Sequence, residues 1–78
     1  MKYIIEKINI ESVNTKFVDE IRFLIDTFFV NGEASAKEVK EFARNTKIDK
    51  IFNRDMFMSF AIINENGNCK IKIKKVED

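Results

Sequence analysis

The sequence predicts an α+β domain: a small antiparallel sheet, built from an N-terminal strand and a C-terminal β-hairpin, covered on one face by two or three helices in the order β-α-α-(α)-β-β. Three observations carry that prediction. Glu65-Asn66-Gly67-Asn68 separates two runs of alternating apolar residues, and Asn-Gly in that setting is a strong hairpin signal because both residues tolerate positive φ. From Lys16 the apolar spacing changes to a helical period. Ser35-Ala36-Lys37-Glu38 has the form of a capping box, which marks a second helix start. At 78 residues, the chain has room for one domain, residues 1–78, with one modest core.

Taken in order, residues 2–10 form a β-branched run with Tyr3, Ile4, Ile5, Ile8 and Ile10 around Glu6 and Lys7. Two arrangements fit it. Either Ile4, Ile8 and Ile10 face inward with Glu6 at an edge, or a bulge changes the face after Ile5. Ser12, Asn14 and Thr15 are candidate caps for a helix over residues 16–31, whose stripe is Phe17, Ile21, Leu24, Ile25 and Phe28, with Val18 and Phe29 beside it and Gly32 as the stop. The second helix runs from Ala36 to about Asn45 on a narrow apolar face of Val39, Phe42 and Ala43. Thr46 is then placed to cap a short third helical segment with Ile48, Ile51 and Phe52 inward, and Asn53-Arg54-Asp55 leads into the hairpin. Centring the hairpin turn on Asn66-Gly67 pairs Ile62 with Ile71 and Phe60 with Ile73. Met58, Phe60, Ile62, Ile71 and Ile73 then share a face that needs cover, and Ser59, Ala61, Ile63, Lys70, Lys72 and Lys74 share the other.

The residue inventory argues against catalysis. The chain has no histidine, so the commonest general acid/base near neutral pH and the commonest metal ligand are both missing. Cys69 falls on the inward side of the hairpin with no histidine to activate it, which suits a small core residue better than a nucleophile. Asp19-Glu20 and Glu77-Asp78 are sequence neighbours on solvated surface or tail, and the two glycines are accounted for by a cap and a turn. The expectation is a non-enzymatic protein with no cofactor and no metal. Apolar runs no longer than four residues, the longest being Phe60-Ala61-Ile62-Ile63, exclude a membrane-spanning helix, and Met1-Lys2-Tyr3 does not open a signal peptide. With one cysteine, a reducing, cytoplasmic setting is expected.

Function therefore has to be sought on surfaces. Fourteen basic and thirteen acidic residues nearly cancel, so only local charge can steer a partner. Phe23 and Val30, seven residues apart, project from the polar side of the first helix beside Asp19 and Asp26. An exposed aromatic of this kind suits a protein-docking hot spot. The competing readings place Phe23 under the N-terminal segment or a loop, or against a second copy of the chain in a homodimer. The row Lys70, Lys72 and Lys74 either meets phosphates or protects an exposed edge strand from aggregation. No aromatic interleaves these lysines, so the sequence gives no support for base stacking on this face.

The first helix followed by Asn31-Gly32-Glu33-Ala34-Ser35-Ala36-Lys37-Glu38-Val39 resembles the entry to the second helix of winged-helix DNA-binding domains. The chain departs from that pattern at Arg44-Asn45 and Lys50, and Asp49 and Asp55 add negative charge. The resemblance implies Lys50, Asn53 and Arg54 as groove contacts, with Lys70, Lys72 and Lys74 on a wing. The lysine-, isoleucine- and asparagine-rich vocabulary also looks like that of an AT-rich bacterium or its phages, whose compact inhibitors of host defence include anti-CRISPR proteins. The leading expectation is a small binding or inhibitor protein that docks on a larger protein or nucleoprotein complex, and the alternative is a winged-helix-like DNA binder.

Overall fold

The computed structural model describes the chain except Lys47, Asp49, Asp55 and Asp78, and except the side chains of Lys50, Phe52, Arg54 and Asn64. In chain order the elements are β1 (Lys2–Glu11), α1 (Thr15–Phe28), β2 (Glu33–Ala34), α2 (Ala36–Asn45), β3 (Lys50–Arg54), β4 (Phe57–Asn64) and β5 (Gly67–Val76). All strand pairings are antiparallel, in the spatial order β2-β1-β5-β4-β3. The α+β class and the single covered sheet face agree with the sequence pattern. Phe17, Ile21 and Ile25 of α1 and Val39 and Phe42 of α2 are buried in one cluster with Phe60, Ile62, Cys69, Ile71 and Ile73 of the sheet. Phe42, with no exposed surface, is its hub, meeting Phe28, Phe29 and Phe60 edge to face at centroid separations of 6.1, 5.3 and 5.7 Å. Such T-shaped contacts align ring edges with ring faces and add to the burial itself.

The helix starts follow their caps. Asn14 Oδ1 accepts from the backbone N–H groups of Lys16 and Phe17 at 3.0 and 3.2 Å, opening α1. At α2 the capping box is complete: Glu38 N–H donates to Ser35 Oγ and Ser35 N–H donates to Glu38 Oε1. These bonds hold the Glu38 carboxyl below the usual range, the backbone bond from Ser35 first and the side-chain bond second. In β1 the register shifts between Ile5 and Lys7. The bulge is therefore the arrangement adopted, and Tyr3, Ile5 and Ile10 pack against the core.

Four expectations are corrected. The hairpin register is Phe60 with Ile71 and Ile62 with Cys69, so the turn is Glu65-Asn66, closed by the Asn64–Gly67 pair. The shift is two residues and leaves every side chain on its expected face. Gly67 is required for a different reason, since a Cβ there would lie 2.6 Å from Ser12 Cβ and 2.7 Å from the Glu11 carbonyl oxygen. The tight turn with two positive-φ residues occurs instead at Asn31 (φ 56°) and Gly32 (φ 77°), where Glu33 N–H donates to the Val30 carbonyl at 3.1 Å. As a result α1 ends at Phe28, with Phe29 as its cap, three residues short of the expected end. Finally, Lys50–Arg54 form β3 against β4 in place of a third helix, so the recognition helix of the winged-helix comparison is replaced by a strand.

Candidate functional site

The sheet face turned away from the helices carries the lysine row of β5. Its composition follows from the registers. β5 is paired on both sides, by β1 and by β4, so Lys70, Lys72 and Lys74 stand on a central strand. Protection of an edge does not account for them. Across the three strands the rungs read Ile4–Lys74–Phe57, Lys7–Lys72–Ser59 and Asn9–Lys70–Ala61. Lys7, which the sequence reading left out, thus stands directly opposite Lys72. The bulge after Ile5 puts it there, by resetting which β1 residues face outward.

Ser59 and Ala61 are small, and the lysines flanking them are long. The rungs therefore enclose an open groove of about 270 Å³ lined by Lys7, Asn9, Ser59, Ala61, Lys70 and Lys72. An aromatic also joins the lysines from the neighbouring strand. Lys72 Nζ lies 4.3 Å from the centre of the half-buried Phe57 ring, a cation–π contact. Ile63, on the same side, is exposed. Alternation along β4 signals this in the sequence, since Phe57 shares parity with Ser59 and Ala61. Lys2 is ion-paired with Glu33 at 3.1 Å, whereas Lys7, Lys70 and Lys74 form no ion pair among the described residues.

The second surface is the outer side of α1. Phe23 is 70% exposed, with Asp19 and Asp26 exposed on the same helix. The Phe23 carbonyl accepts from Thr27 Oγ1 at 2.7 Å. Val30 is also exposed, at 60%, but it lies past the end of α1 in a bridge with Glu33. The expected helical stack of Phe23 and Val30 is therefore not formed. Of the groove contacts implied by the winged-helix resemblance, Asn53 is exposed on β3 opposite Met58, while Lys50 and Arg54 hold register positions opposite Ala61 and Phe57.

Cys69 has no exposed surface and is a free thiol. Burial pushes its pKa up from 9.0 to about 11, against a smaller lowering by Arg22. Its neutral, enclosed sulfur is the opposite of an activated nucleophile. Among the described residues no group of three His, Cys, Asp or Glu side chains is arranged to hold a metal ion, and no helix is long and apolar enough to cross a membrane. No family model, curated protein or solved structure matches the chain.

Proposed function

We propose that this chain is a small binding protein that acts by occupying the surface of a larger protein or nucleoprotein complex, with Phe23 as its anchor and Asp19 and Asp26 as a charged rim. The observation that carries the reading is the 70% exposure of Phe23 on a helix whose opposite side is fixed in the core through Phe17, Ile21 and Ile25. A rigid helix presents an aromatic at little further entropic cost, and desolvating such a side chain is a common source of interface energy. Inhibition by occupancy needs no chemistry, which suits the neutral Cys69 and the lack of histidine.

The test is site-specific photocrosslinking in cells, with a benzophenone amino acid at position 23 and, separately, at Lys40 on α2. A discrete partner joined from position 23 alone, and lost from affinity purification by Phe23→Ala in a variant with an unchanged circular dichroism spectrum, is the expected result. Equal crosslinking from both positions, or an unchanged partner with Phe23→Ala, removes the α1 surface from the function.

A further inference from the structure

We infer that the outer face of the sheet is a binding site for single-stranded nucleic acid, with Lys7, Lys70, Lys72 and Lys74 holding phosphates over a floor of Ser59 and Ala61. This inference goes beyond the α1 docking surface and does not depend on it.

Four observations converge on an anion. Lys7 and Lys72 are directly opposed on adjacent strands, and like charges in that position repel. Among the described residues, none of Lys7, Lys70 and Lys74 is neutralised by an ion pair. The central position of β5 removes edge protection as the reason for its lysines. The charge is also concentrated: the whole chain carries a net charge of only +1, yet the outward positions of β5 alternate lysine at 70, 72 and 74.

The spacing and shape favour a single strand. Alternate residues on a strand are about 6.6 Å apart, a repeat comparable to that of successive phosphates along a polynucleotide. Reading a duplex groove calls for a projecting helix or β-ribbon, whereas Lys7, Lys70 and Lys72 surround a shallow groove, with Lys74 one rung further along β5. Asn9 and Ser59 line that groove and offer hydrogen-bonding groups to base edges. Transfer of the Lys72 ammonium from the Phe57 ring to a phosphate uncovers an aromatic face on which a base can stack, the usual device of sequence-tolerant single-strand binding.

The test uses fluorescence anisotropy of labelled fifteen-nucleotide oligothymidine and oligouridine, with a fifteen-base-pair duplex and poly-glutamate as comparison probes, between 50 and 200 mM salt. Saturable binding to one or both single strands is expected, with the two arms distinguishing DNA from RNA. Affinity should fall with salt at a log–log slope of roughly −2 to −3 for three or four phosphates. The double variant Lys7→Gln/Lys72→Gln should lose at least tenfold in affinity and flatten that slope by about 1.4, while its melting temperature stays level or rises. Lys37→Gln/Lys40→Gln, with the same charge loss on α2, should leave binding unchanged. No binding at 50 mM salt, equal losses in both double variants, or duplex or poly-glutamate binding as tight as the single strands would overturn the inference.

Discussion

Cys69 shows how a single residue's chemistry is set by where the chain puts it. Its register partner on β4 is Ile62 and on β1 is Ile10, so the sulfur lies among aliphatic groups, and burial raises its pKa to about 11. Between the ordinary thiol value and 11, the unfolded chain releases the proton that the folded chain keeps. The unfolded state then binds fewer protons, so stability falls as pH rises through that window and is unaffected by this group below it. Urea midpoints at pH 8 and pH 10, compared with those of Cys69→Ala, should show this extra alkaline loss in the parent only, with a slope of no more than about 1.4 kcal/mol per pH unit. Identical pH profiles for the two proteins would mean that the thiol ionises in the native state. The inward placement of Cys69 was legible from strand parity alone, because parity does not depend on where the turn is centred. Phe23 was legible for the same reason: its angle on α1 does not depend on where the helix stops, whereas Val30 lost its place on the helix when the stop moved to Phe28.

Elements were readable where the signal is local and ambiguous where two neighbouring segments compete. The α2 boundaries came directly from the capping box and the narrow apolar face. β3 did not, because Lys50-Ile51-Phe52-Asn53-Arg54 is short enough to suit a helical turn as well as a strand. Only its pairing with β4 decides the matter, and that pairing is non-local. The two Asn-Gly sequences exchanged roles for a related reason. Asn31-Gly32 takes the double positive-φ turn, whereas Gly67 is placed beside the segment that follows β1. There Ser12 Oγ donates to the Asn66 carbonyl and Asn14 Nδ2 donates to Asn66 Oδ1 at 3.2 Å, so the start of α1 is tied to the hairpin turn. Gly67→Ala should therefore act as overpacking against Ser12 and the Glu11 backbone, and cost about 1–3 kcal/mol. Pairing it with Ser12→Gly separates the causes. Partial recovery in the double variant by denaturant unfolding assigns that share of the cost to the Ser12 clash, and no recovery assigns it to the Glu11 carbonyl contact together with backbone strain at φ +154°.

At the scale of the whole molecule, the two layers place unlike demands on the same sheet. The inner face is satisfied by burial, through Phe60, Ile71 and Ile73 against Phe17 and Phe42. The outer face gains little from solvent exposure and sets Lys7 against Lys72 across β1 and β5. If stability alone shaped that face, alternating signs would serve better, because opposed unlike charges contribute where opposed like charges cost. Lys7→Glu should therefore stabilise the fold by about 0.2–1 kcal/mol. The gain should shrink in 0.5 M salt, where exposed pairs are screened. Urea unfolding of parent and variant at 20 mM and 0.5 M salt measures both terms. A variant less stable than the parent at low salt would mean that the two ammonium groups are held apart and exert no strain on the sheet. A salt-sensitive gain identifies a face kept at some cost to the fold, which is the condition expected of a surface whose lysines have a partner outside the chain.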